Sequence, residues 1–347
     1  MAYGVLRNWW RSVSQLYLLS HFESLEREDR ERRERAVSER LIIDNKIPPR
    51  RVWDLYSNRV VPYWVLGIEF NTERSIFRAH EILPVSHAWM SLDERKGVFT
   101  PINGYTWPVP VPADIRLDDL RIELLNLGSI KRVQYVWLDV LCLRQVGGKP
   151  QEESLRTKEW SIDVPTIGTI YLDCRFIVYY LNGLGRPFEE NDLDDARHWC
   201  NRAWTLQEWC SLRSNHILSH PLLGGITEKS PHFNIARPNL YTDDHFTKRL
   251  GERIFTLDPS GSGLLTIIQA AAIMSRRQAE RELDKLAGLA YFACGNTHPV
   301  FDETQHIEDA WWPFIDCMKL TARAQLFFMF PVAGKGEYKW MPSWNQL

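Results

Sequence analysis

The sequence predicts an α/β protein: a parallel sheet flanked by helices, preceded by a helical arm and followed by a mostly helical extension. Three short apolar runs rich in valine, isoleucine and aromatics carry that expectation: EILPVSH (81–87), VQYVWLD (133–139) and CRFIVYYL (174–181). Unbroken apolarity, rather than alternation, marks strands buried on both faces, as parallel strands are. Helical patterns lie between them, and strand–helix–strand alternation closes as parallel strands joined by crossovers.

The elements follow in order. Residues 1–46 read as an N-terminal helical extension. Val5, Trp9, Val13, Leu16 and Leu19 recur at helical intervals with Arg7 and Arg11 among them, the pattern of an amphipathic helix. The mixed-charge run ESLEREDRERRERAVSER (23–40) offers many i,i+4 pairs and few apolar positions. It reads as a solvated helix or, alternatively, as an arm that touches a partner or a membrane. IPPR (47–50) breaks the pattern and opens the α/β domain, 47–220.

After the first strand, SLDERKGVFTPINGYTWPVPVPAD (91–114) carries Pro101, Pro108, Pro110 and Pro112 and predicts a long, stiff loop. A helix is expected over 113–128, with leucines at 117, 120, 124 and 127 and a stop at Gly128. A second, over 151–172, meets Pro165 and is bent or split there. A third covers 198–213. The stretch 219–244 reads as surface loop. In the C-terminal region, 221–347, residues 264–293 form two helical stretches, and Trp311, Trp312, Phe314, Phe327, Phe328 and Phe330 make the last part too aromatic for a free tail; it is expected to pack on the α/β unit.

Composition narrows the function classes. Of 347 residues, 44% are hydrophobic and 25% charged, which gives a core and excludes wholesale disorder. A formal net charge of −2 provides no global attraction to nucleic acid, so no nucleic-acid partner is expected. The six cysteines form no CxxC pair, which argues against disulfides and against a metal site. There is no apolar run near 20 residues and no secretory leader, and the chain reads as cytoplasmic.

In an open parallel sheet, ligands bind outside the carboxyl ends of the strands. That rule selects Ser86, His87 and Trp89 after the first strand, Asp139 with Arg144 and Gln145 after the second, and the loop leading into RAWTLQE after the third, with Arg202, Trp204 and Glu208. Glu208 shares a helical face with Trp204. An indole neighbour desolvates a carboxylate and raises its pKa unless a cation such as Arg202 compensates, and this is the mark of a reactive acid or of a structural ion pair. Asp139 is either a turn-capping residue or a working carboxylate, and His87 an acid/base group or a hydrogen-bonded rim histidine. Trp89 and Trp204, with Trp137, belong to the core unless one faces the cleft and stacks on a flat ring. Arg144 and Gln145 can contact polar or anionic groups or simply solvate the surface. GxGxxG, GxxxxGK[ST], HExxH and GxSxG are all missing.

PVSHAWMS, YVWLDVLCLRQ, DVPTIGTIYLDCRFIVYYLNGLG and RAWTLQEW resemble, in this order, the blocks of the fungal heterokaryon-incompatibility (HET) domain. RRVWDLYSNRVVPYWV and MPSWNQL also look like HET-protein sequence. The resemblance spans roughly 50–215, with Met90 standing where the family's first block has glycine. It implies an intracellular effector of non-self recognition and programmed cell death. The HET domain is itself remotely similar to the flavodoxin-like TIR domain, which implies a flavodoxin/TIR-like sheet. It also implies NAD as a substrate, rather than a tightly bound cofactor, cleaved at the nicotinamide–ribose bond. In that comparison Glu208 is the catalytic carboxylate with Asp139 at the second strand end, and Ser86, His87, Trp89, Arg144, Gln145, Arg202 and Trp204 line the nucleotide site. The implied partners are further copies of the chain or a non-self recognition partner. The competing reading is a non-enzymatic interaction module of the same family. A membrane-active toxin is disfavoured because Arg7 and Arg11 are too few for electrostatic docking.

Overall fold

The computed structural model describes residues 2–66, 82–131, 133–172, 174, 176–187, 193–195, 197–210, 220–225, 248–249, 252–253, 266–335 and 339–347. The chain starts with a helix, α1, Ala2–Arg35. A six-stranded mixed sheet follows, built from β1 (Arg51–Asp54), β2 (Arg59–Pro62), β3 (Ile82–His87), β4 (Tyr135–Trp137), β5 (Phe176–Tyr180) and β6 (His220–Leu223) in the order β6-β5-β3-β4-β1-β2. β3 pairs in parallel with β4 (Leu83 opposite Val136) and with β5 (Ser86 opposite Tyr179), and β6 runs parallel to β5. β1 is antiparallel to both β4 and β2.

The three predicted strands therefore occur where their apolar runs lie. Every residue of β3 and of β5 is buried. Burying each of their valine and leucine side chains stabilises the fold by roughly 1.5–3 kcal/mol. Two strands depart from the expectation of a purely parallel sheet. β1 and β2 form a hairpin whose turn is fixed by local polar contacts: Asp54 Oδ1 accepts from Tyr56 N at 3.0 Å and Asn58 Oδ1 from Trp53 Nε1 at 3.1 Å. Asn58 takes the left-handed conformation (φ 53°), which asparagine tolerates. β6 falls in the segment expected to be surface loop, of which 226–244 lie outside the described residues. HPLL is too short to announce a strand without its partner β5.

The helices lie close to prediction. α2 spans Leu117–Lys131 and passes through Gly128 instead of stopping there. A single interior glycine costs about 1 kcal/mol, which the buried Leu117, Leu120 and Leu124 offset. Pro165 splits its segment into α3 (Glu153–Asp163) and α4 (Ile167–Leu172). The proline-rich 91–114 stretch is a hairpin rather than a loop, Arg95–Val98 paired with Val109–Pro112. Its prolines are tolerated because the pair stands apart from the main sheet, where missing N–H donors leave no gap in a central ladder. α5, Thr205–Cys210, starts later than predicted, after a turn of 3-10 helix at Trp199–Asn201, and 211–213 lie outside the described residues.

The C-terminal region forms α6 (Ile267–Ser275), α7 (Glu282–Ala293), α8 (Ile307–Cys317) and α9 (Leu320–Met329). Their core takes in Val164, Ala203 and Leu206 from the α/β unit, so the two are packed together. Trp311 and Phe314 are buried there, whereas Phe327, Phe328 and Trp312 are exposed. The N-terminal arm is also tied in. Arg33 bonds Asp29, Asp163 and the carbonyl of Pro48, and Leu41–Ile42 pairs with both Val37–Ser38 and His298–Pro299. Of the predicted apolar stripe, Leu19 is exposed, and the side chains at 5, 9, 13 and 16 lie outside those described, as do those of Arg7 and Arg11. Among the described residues no helix is long and apolar enough to cross a membrane.

Candidate functional site

A cavity of about 300 Å³ opens beyond the carboxyl ends of β3 and β4, between the sheet, the Arg95–Pro112 hairpin, α5 and α7. Seven of the predicted residues line it: His87, Trp89, Asp139, Gln145, Arg202, Trp204 and Glu208. β3 ends at Ser86 and His87, whose side chains alternate across the strand as the pleat requires. Ser86 is buried and turns to α5, where its hydroxyl donates to Glu208 Oε2 and accepts from Trp199 Nε1 at 2.6 Å.

His87 Nε2 meets Asp139 Oδ1 at 2.7 Å, and its Nδ1 faces the carbonyl oxygen of Ala88 at 3.3 Å. Both ring nitrogens thus face acceptors, which suits the doubly protonated imidazolium. Burial opposes that charge, but the Asp139 carboxylate outweighs it and the His87 pKa is raised. Burial likewise acts against the Asp139 anion. His87, Trp89 Nε1 (2.9 Å) and the Val140 N–H (2.7 Å) overcome it and hold the pKa low. Asp139 is therefore an anchor: it fixes His87 and Trp89 at the cavity wall. The two rings lie nearly parallel, centroids 6.2 Å apart, and the Arg95 guanidinium sits 4.8 Å from the Trp89 ring.

Glu208 behaves in the opposite way. Burial pushes its carboxyl up to about 7, with Asp139 adding to the rise; the Ser86 hydroxyl, His87 and Arg277 only partly offset it. The compensating guanidinium is Arg277, not the expected Arg202. Arg277 is buried and bonds Thr205 Oγ1 at 3.0 Å and the backbone carbonyl of Arg202.

Arg144 does not join the group. It pairs with Glu152 and, at 3.3 Å, with Glu159, and it lies over the Trp107 ring. Gln145 uses its amide N–H on the carbonyls of Asp139 (3.2 Å) and Leu143 (3.0 Å), so it shapes the loop as well as lining the cavity. Sequence reasoning missed the far wall, which Glu280, Arg281, Asp284 and Phe301 supply from the C-terminal region. It also missed Tyr171, whose hydroxyl bonds the Val85 carbonyl at 3.1 Å behind the site. Nothing local marks these positions, because they reach the cavity only through long-range packing. No group of three or more His, Cys, Asp or Glu among the described residues is arranged to hold a metal ion.

No protein-family model, curated protein or solved structure matches the chain.

Proposed function

We propose that this protein is a HET-type effector of non-self recognition and programmed cell death that hydrolyses NAD at the nicotinamide–ribose bond, with Glu208 as the catalytic carboxylate. One observation carries the reading: the carboxyl whose pKa is raised to about 7 faces a cavity at the carboxyl ends of parallel strands. The four parallel strands lie in the order second–first–third–fourth by sequence, which supports the flavodoxin/TIR-like reading that the resemblance implies. The cavity lies at the lower end of the range for ligand pockets and suits the nicotinamide–ribose end of the dinucleotide rather than the whole.

The chemistry asks little of the protein. The C1′–N bond breaks with its electron pair leaving on nicotinamide, which departs neutral because it is cationic while attached. The ribosyl oxocarbenium that remains is stabilised by a carboxylate beside it, and water adds at C1′ and releases a proton. A cationic ligand next to Glu208 itself favours the ionised carboxylate, so the raised Glu208 pKa falls on binding. Trp89, held by Asp139, and Trp204 offer ring faces for nicotinamide.

Purified protein incubated with NAD is expected to release nicotinamide, with Glu208→Ala and Glu208→Gln slower by about 100-fold or more. Because the ionised form works, kcat/KM should rise about tenfold per pH unit up to about 7 and then level. No release by wild type at high protein concentration sinks the enzymatic reading and leaves the interaction module. Activity retained in both variants removes Glu208 from the role.

A further inference from the structure

Four arginines are buried among the described residues. Arg33 meets Asp29 and Asp163, Arg156 meets Glu153 and Glu303, and Arg277 bonds the Thr205 hydroxyl and the Arg202 carbonyl. Arg202 differs from all three. Only 5% of it is exposed and its side chain lines the cavity, yet its guanidinium makes no hydrogen bond or ion pair with any described residue. Its backbone is fixed: its N–H donates to the Trp199 carbonyl at 3.2 Å, its own carbonyl accepts from Arg277, and it bridges to Gln278. The backbone that carries this side chain at the cavity wall is thus fixed on both sides.

A guanidinium offers five N–H donors and stays charged, so one at a cavity wall without a protein acceptor has its donors open to the oxygens of a ligand. The neighbouring acids are already engaged. Glu280 takes Arg95 at 2.8 and 3.3 Å, and Asp284 caps α7 by accepting from the Arg281 N–H at 3.1 Å. Burial, with Arg197 and Arg95, presses on the Arg202 charge and outweighs the support of Glu280 and Asp284, a balance that an incoming anion would relieve.

We propose that Arg202 anchors an oxyanion, a phosphate or a carboxylate, carried by a small molecule whose remaining part fills the apolar body of the cavity. This rests on reading the cavity as a ligand site and not on Glu208 breaking a bond. It separates the two arginines named from the sequence: Arg144 is consumed by Glu152 and Glu159, whereas Arg202 is left for the ligand.

The test is equilibrium binding at low ionic strength, where charge pairing is least screened. Inorganic phosphate, pyrophosphate and benzoate serve as probes, followed by tryptophan fluorescence and calorimetry. Wild type should bind at least one probe saturably, Arg202→Gln should bind it at least tenfold more weakly, and Arg202→Lys should fall between them. Tighter binding of pyrophosphate identifies a phosphate ligand, and tighter binding of benzoate a carboxylate. Probe binding is read without NAD turnover, so a failure of NAD cleavage leaves this result standing. If no probe binds wild type, or Arg202→Gln binds as well, the proposal is overturned. If circular dichroism shows Arg202→Gln unfolded, phenylglyoxal labelling of wild type decides: the winning probe should slow modification of Arg202, read by peptide mass spectrometry, and unchanged labelling overturns the proposal.

Discussion

Asp163 and Glu208 are carboxylates of almost equal burial, 5% and 7% exposed, yet their surroundings drive them in opposite directions. Asp163 sits where α1, β1 and α3 meet. Arg50 Nε bonds it at 2.7 Å and Arg50 Nη2 at 2.9 Å, while Arg33 reaches it at 3.3 Å. Burial alone would raise its pKa, but these guanidiniums hold it below the ordinary value. Glu208 receives a neutral hydroxyl from Ser86 and feels Arg277 and His87 too weakly to overcome burial. Burial by itself therefore does not separate a brace from a reactive acid. What separates them is the balance of named neighbours: at Asp163 the guanidiniums of Arg50 and Arg33 outweigh burial, whereas at Glu208 Ser86, His87 and Arg277 do not.

The sharpest way to break this contrast is to remove the brace. Asp163→Ala leaves the Arg33 and Arg50 guanidiniums facing each other without the acid they share, and should cost about 3–5 kcal/mol in denaturant unfolding. A loss under about 1 kcal/mol would show that the cluster is solvated and that the contrast is illusory. Asp163→Asn should do less damage, because the amide oxygen still accepts one hydrogen bond.

Glu208→Gln should act with the opposite sign. The folded protein holds the Glu208 proton more tightly than the unfolded chain does, with a pKa of about 7 against 4.5. Stability contributed by that proton is present at low pH and is lost as pH rises from about 4.5 to 7. The loss is at most about 3 kcal/mol, from 1.36 kcal/mol per pKa unit. The variant should therefore match wild type near pH 4 and exceed it at pH 8, by an amount read from urea curves at the two pH values. Equal stability at both would show that Glu208 is not strained by burial. A gain in stability together with a loss of nicotinamide release would tie the strain to function.

Ser86→Ala should be milder and more informative. It strips Glu208 of the hydrogen bond that favours its ionised form and leaves the Trp199 N–H without its acceptor at 2.6 Å. About 1–3 kcal/mol of stability should go with the orphaned indole donor. The rising limb of the pH–activity profile should move to higher pH. An unmoved profile would mean that the titrating group is not Glu208.

The same contrast explains how far the sequence could be read. β3, β4 and β5 were legible because they are buried almost throughout and so are mostly apolar, a constraint local to six residues or fewer. The rule that ligands bind at strand ends then found His87, Asp139 and Glu208 without any three-dimensional information. It could not tell Arg144 from Arg202, because both are arginines in rim segments and only the approach of Glu152 and Glu159 uses one of them up. Nor could it find Asp284, whose burial pushes its carboxyl up to about 6, since that burial comes from packing α7 against the α/β unit. The antiparallel hairpin β1–β2 was hidden for a similar reason: its signal is one left-handed asparagine and two polar turn contacts.

The smallest effect gives the cleanest control, because helix α1 carries two arginine–acid pairs with the same i,i+4 spacing. Arg33–Asp29 is buried, 5% and 10% exposed at the side chains, with the two groups 2.9 Å apart. Arg35–Glu31 is 71% and 49% exposed at 3.5 Å. Sequence spacing alone makes them equivalent. An exposed pair gains little beyond what water already provides, and holding two long side chains in register offsets part of that gain. Glu31→Ala should change the unfolding free energy by less than about 0.5 kcal/mol and lose even that in molar salt. Asp29→Ala, two residues earlier on the same helix but buried against Arg33, should cost several times more and resist salt. If the two variants behave alike, the end of α1 is solvated in solution, and the arm is not held by the Asp163 cluster that the first prediction removes.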